Sequence, residues 1–101
     1  MMLRQVIHEQ INDEEHRQKR LWGEQNHAPA FWLAILAEEF GEAARAVVEH
    51  GAMDTHRRLT GREADEQLAK LRATLRRELV QVAAVAVSFI DYLDRQEESK
   101  P

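Results

Sequence analysis

The chain has 101 residues, a formal net charge of −4 and no cysteine, which bounds one small domain at the size where oligomerisation commonly adds to a single core. Its basic residues are scattered among acidic ones, so no positive patch addresses the backbone of duplex nucleic acid, and the lack of cysteine excludes disulfides, zinc-thiolate sites and a thiol nucleophile. The N-terminal MMLRQVIHEQINDEE turns acidic before any apolar run forms, and the longest weakly polar run, Val82 to Ile90, is too short for a membrane span, so the expectation is a cytoplasmic protein without signal peptide or membrane anchor.

In chain order, a first helix is expected from about Leu3 to Leu21, with Leu3, Val6, Ile7, Ile11 and Leu21 recurring at helical spacing on an otherwise wet element. Trp22 to Ala28, WGEQNHA, reads as a loop, and Pro29 suits the first turn of a second helix running to about His50. Gly51 is its expected C-cap, followed by a connection from Ala52 to Gly61 that includes Asp54 and Thr55. A third helix is expected from near Arg62 to about Gln96, charged in its first half and apolar in its second, with a frayed tail over about 97–101. No strand-period segment or repeat is present, so the fold class is all-α, a single domain of three principal helices over 1–101.

The acidic residues that interrupt the apolar stripes carry the chemistry. At ~100° per residue, Trp32, Ile35, Leu36, Ala43 and Ala46 share one side of the second helix, and Glu39 falls among them. Glu42 lies at the edge of that face one turn on, whereas Glu38, Arg45 and Glu49 turn toward the boundary or solvent. In the third helix Glu78, Gln81, Val85, Ser88 and Tyr92 form a narrow stripe opposite Leu79, Val82, Ala83, Ala86 and Phe89. A carboxylate on an apolar face needs a counter-charge. Two are available: a divalent cation shared between the helices, or a guanidinium from Arg45, Arg76 or Arg77.

The sequence EEFGE (Glu38 to Glu42) followed by ELVQ (Glu78 to Gln81), with WGEQNH before the second helix and FWLAILAEEFGEAARAV within it, resembles the MazG-like all-α nucleoside triphosphate pyrophosphohydrolases, whose pattern is EExxE followed by ExxD. The resemblance covers about Trp22 to Leu93. It implies a helical bundle whose four-helix core is completed by a second copy, as dimer or tetramer. It also implies magnesium, with manganese as the alternative ion, held by Glu39, Glu42 and Glu78, while Glu38 is either a further ligand or the group that orients the attacking water. The implied reaction is cleavage of a nucleoside triphosphate between the α and β phosphates, in nucleotide-pool house-cleaning. Hard cations bridging carboxylates and phosphate oxygens are what such a substrate requires at an acidic site.

Two departures accompany the resemblance. Gln81 stands where the pattern has Asp, which removes one charge from the ligand set although an amide oxygen can still ligate, and the stretch from Ala43 to Arg77 is long for the family. The alternative is therefore a weak or inactive nucleotide-binding or structural module of the same fold. For substrate binding, Trp22 offers a face for base stacking with Gln25, Asn26 and His27 beside it, Trp32 is assigned to the core, and Tyr92 borders the Glu78 stripe. Lys19, Arg20, Arg76 and Arg77 are the available phosphate contacts, with Arg77 in the binding set. His8, His16, His50 and His56 have no metal-binding spacing.

Overall fold

A computed structural model describes residues 3–57 and 61–100, with side chains over 3–49 and 61–100. The described residues form three helices, α1 (Leu3–Trp22), α2 (Pro29–Arg57) and α3 (Gly61–Glu98), in the expected all-α architecture. Both α1 and α2 pack on α3, and among the described residues they do not pack on each other. No described helix is long and apolar enough to cross a membrane.

Local chemistry explains the first boundary. Gly23 takes a left-handed φ of 73°, and its amide donates to the Lys19 carbonyl at 2.7 Å, closing α1 with the bond of the αL cap. Ala28 then caps α2: its carbonyl accepts from the Phe31 and Trp32 amides at 2.9 and 3.1 Å, and Pro29 occupies the first helical position, where an amide hydrogen would have no partner.

The second boundary differs from expectation. Gly51 does not end α2, which continues through it to Arg57, so Asp54 and Thr55 lie in helix and not in the connection. A glycine inside a helix costs only about 1 kcal/mol relative to alanine, which an ongoing hydrogen-bond ladder tolerates. The left-handed glycine on this side is instead Gly61, with φ 56°, at the head of α3. Residues 58–60 and 101, and the side chains of His50 and His56, lie outside the description. At the other end α3 runs past Gln96 to Glu98, and the Ser99 amide still bonds the Arg95 carbonyl at 3.2 Å.

The core is small and centred on one side chain. Trp32 is 2% exposed, and Ala43, Ala46, Ala84 and Val85 are buried around the α2–α3 contact, where small residues let two helices approach closely. Phe89 of α3 stacks on Trp32 with centroids 5.5 Å apart and planes 6° from parallel, and Tyr92 tilts against it at 6.1 Å. Burial on α3 peaks at Ala84 and Val85, while Leu79, expected on the inner flank, is exposed.

The largest correction concerns α1. Leu3, Ile7 and Leu21 are exposed, and the residues this helix buries are Glu15 and Gln18. Its docking is polar: the Ser88 hydroxyl of α3 donates to Glu15 Oε2 at 3.1 Å, and Lys19 Nζ lies 3.6 Å from the same oxygen. The apolar stripe reaches only as far as Ile11 and continues one and two turns on as Glu15 and Gln18.

Trp32→Ala removes the largest buried side chain, and a truncation of this type costs about 3–5 kcal/mol from a total that for domains is about 5–15 kcal/mol. Denaturant unfolding followed by circular dichroism should show a loss of that order; a loss below about 1 kcal/mol would mean that Trp32 does not organise the core.

Candidate functional site

Glu39 and Glu42, three residues apart on α2, meet Glu78 of α3 across the helix contact. One carboxylate oxygen from each lies within 4.8 Å of the other two. Glu39 is carried there by the face it shares with Trp32, Ala43 and Ala46, and Glu78 by the α3 face that buries Val85 two turns on. Glu39 and Glu78 are half-buried and Glu42 is exposed. Glu39 Oε2 and Glu78 Oε2 are buried without any hydrogen-bond partner.

Among the described residues no ion pair neutralises the cluster. Among the described residues none of the three glutamates has a basic group within 4.0 Å, and the nearby arginines are engaged elsewhere or stand off. Arg17 makes a two-pronged contact with Glu14, at 2.7 Å on each side. Arg76 donates to Gln10. The pairing of Glu39 and Glu78 with Arg45, Arg76 or Arg77, open from the sequence, is therefore not what the side chains do.

Electrostatics follow from this arrangement. Burial raises the Glu39 pKa above its ordinary value, and Glu42, Glu78, Glu38 and Glu14 push it further in that order. Burial likewise raises Glu78, helped by the charge of Glu42 and by a hydrogen bond to Glu42 that exists only while one of the two carboxyls is protonated; Arg77 opposes the shift. Glu38 is exposed and stands outside the triad, acting on it only through its charge. Gln81, the fourth expected ligand, lies one turn beyond Glu78 on the same helix and lines a neighbouring groove.

Two depressions flank the triad. The first, about 450 Å³, lies between the end of α1, the loop after it and the helix pair. Its walls include Trp22, Gln25, His27, Phe31 and Trp32, with Glu39 at one boundary. His27 sits 4.7 Å from the Phe31 ring and 5.2 Å from the Trp32 ring, and its Nε2 shares a hydrogen bond of 3.1 Å with Gln25 Oε1. The loop is tied down by Arg95, whose guanidinium meets Glu24 at 2.7 Å, Asn26 at 3.0 Å and Asp91 at 3.1 Å. The second depression, about 520 Å³, runs between α1 and α3 past Gln10, Glu14, Arg17, Arg76, Arg77 and Gln81.

Of the four residues assigned to substrate, Trp22 and Gln25 line the first cavity, Arg77 lines the second, and Tyr92 lines neither, packing instead on Trp32 with Arg95 5.9 Å over its ring. Lys19 is on the wall of the first cavity and Arg20 is on neither. Arg95 and Glu15 were not legible as parts of the site, and Ser88 was legible only as a member of the Glu78 stripe. The one signal for the first two was spacing: Arg95 follows Asp91 by four residues, and Glu15 follows Ile11 by four.

Comparison with protein-family models, with curated proteins and with solved structures returns no match for the chain. The chemistry of the site rests on its own groups.

A carboxyl whose pKa is higher in the folded than in the unfolded chain contributes stability that is complete below its unfolded value. That contribution is lost as the pH rises through the folded value. For Glu39 and Glu78 the loss begins near 4.5 and extends upward. Without divalent ions, Glu39→Gln and Glu78→Gln should each raise the Tm at pH 7 by a few degrees and flatten its decline above pH 4.5. Variants melting below the parent at pH 7 would show that the carboxylates are not in repulsion.

Proposed function

We propose that the chain hydrolyses nucleoside triphosphates to monophosphate and pyrophosphate with magnesium, in the manner of the MazG-like enzymes that EEFGE and ELVQ resemble. The observation that carries the reading is the convergence of Glu39, Glu42 and Glu78 from two helices, with two buried oxygens left unpartnered and, among the described residues, no ion pair to any of the three. Three carboxylates with hard oxygen donors fit magnesium or manganese, and the orphaned oxygens of Glu39 and Glu78 are where donors would be needed. When bound, the ion supplies neutralisation of the phosphate charge and a lowered pKa for the attacking water.

The remaining steps belong to the chain's own residues. Trp22, exposed at the cavity, takes the base by stacking, with Gln25 and His27 offering polar atoms to its edge. A water oxygen attacks the α phosphorus and the bond to the bridging oxygen breaks. Its electron pair leaves with pyrophosphate, and the proton released by the water passes to a carboxylate and then to solvent. Glu38, exposed beside the triad, is the group free to orient that water. Gln81 in place of an acid favours slow turnover, and in the limit a nucleotide-binding module without catalysis.

Turnover is measured as pyrophosphate released from a panel of canonical and modified nucleotides with magnesium or manganese. Release should fall at least 100-fold in Glu39→Gln and Glu78→Gln, whose fold is retained; an active parent unaffected by both changes, or no release from any nucleotide, removes the enzymatic reading. Magnesium at 100 times its Kd should stabilise the parent by about 2.7 kcal/mol and leave Glu78→Gln much less affected.

The same reading includes a second copy of the chain. Leu33, Ala37, Phe40, Ala44 and Val47 recur at alternating spacings of four and three along α2, and all five are exposed, Phe40 by 62%. Large and small residues alternating at this spacing suit packing against a helix of a second copy, on a face of α2 that adjoins the one packed on α3. The chain exposes 7734 Å², against about 5,900 Å² for a compact monomer of its mass. Phe40→Glu should convert the dimer to monomer in sedimentation experiments; an unchanged mass for this variant, or a monomeric parent, removes that interface.

A further inference from the structure

The proposed hydrolase site lies between two depressions of opposite character. Glu39 borders the aromatic cavity, whereas Arg77 and Gln81, on either side of Glu78 along α3, line the groove between α1 and α3. A ligand extending from the cavity across the triad is therefore directed into the groove. That groove carries three guanidiniums, Arg17, Arg76 and Arg77, against one carboxylate, Glu14, in a chain whose net charge is −4. Positive charge is concentrated where the acidic cluster ends.

The guanidiniums are also partly set in place. Glu14 holds Arg17 through Nε and one Nη, leaving its remaining N–H groups for another acceptor, and Gln10 holds one Nη of Arg76. Arg77 has no ion pair among the described residues, yet its charge is felt at Glu78, as that of Arg17 is coupled to Glu39. Planar, preorganised guanidiniums next to hard-cation ligands suit the oxygens of a polyphosphate, which they contact in pairs. The aromatic cavity suits the other end of the same molecule.

We propose that the Arg17, Arg76 and Arg77 groove is the subsite for the terminal phosphates, so that the substrate lies with its base at Trp22, its α phosphorus over the triad, and its leaving pyrophosphate on the arginines. The assignment rests on the hydrolase reading for its direction, but the groove can be tested without nucleotide or metal. Inorganic pyrophosphate is titrated calorimetrically into the full chain at low salt with divalent ions chelated, alongside the Arg76→Gln, Arg77→Gln double variant. Both arginines are exposed, and circular dichroism checks that the fold is kept.

The parent should bind pyrophosphate, the double variant at least tenfold more weakly, and added salt should weaken the parent's binding as charge contacts are screened. Equal affinity in parent and variant overturns the subsite, as does a parent that binds no pyrophosphate. Failure of the hydrolase reading is distinguishable, because it would show as no stabilisation by magnesium and no nucleotide turnover while pyrophosphate still bound the arginines.

Discussion

Three like charges meeting at the contact of two apolar helix faces is the constraint around which the molecule is arranged. Glu39 and Glu78 are half-buried, two of their oxygens lack any partner, and Glu42 adds a third charge within 4.8 Å. A packed interface normally excludes such a group or pairs it, because a lone buried charge loses hydration with no return. Here the small side chains of Ala43, Ala46 and Ala84, with Trp32 stacked on Phe89, hold α2 and α3 together strongly enough to carry that repulsion. The cost shows in the raised pKa of both Glu39 and Glu78, first through burial and then through the neighbouring carboxylates.

Three arginines around the site have partners, Arg17 in Glu14, Arg76 in Gln10, and Arg95, further along α3, in Glu24, Asn26 and Asp91, whereas Arg77 beside Glu78 has no ion pair among the described residues. Each of these exposed or half-exposed pairs contributes little stability by itself. Their effect is positional. They hold Arg17 and Arg76 in place, and through Arg95 they fix the loop that forms one wall of the aromatic cavity. The polar docking of α1 through Glu15, Ser88 and Lys19 has the same character, orienting the helix more than gluing it.

The helical architecture and the acidic cluster were legible because each rests on local periodicity. Pro29, the WGEQNHA loop and the face shared by Trp32, Glu39, Ala43 and Ala46 all follow from spacing along one element, and the structure agrees with them. What spacing cannot report is which of two permitted outcomes the tertiary context selects. Gly51 was compatible with a cap or with passage through the helix, and continuation prevailed. Leu3, Ile7 and Leu21 recur at helical spacing along α1 but are exposed, and Glu15 and Gln18 are buried instead. The exposed face on α2 was equally present in the sequence and was hidden by the stronger inward stripe that it adjoins.

The two tryptophans occupy opposite environments at the same cavity. Trp32 is sealed against Phe89, whereas Trp22 is 61% exposed at the rim. Light emission from the chain is accordingly the sum of a blue component from the sheltered indole and a redder one from the hydrated indole. A molecule entering the cavity must displace water from the second before it can disturb the first, so occupancy and unfolding write different spectral signatures, and the protein carries its own two-colour reporter without any added dye.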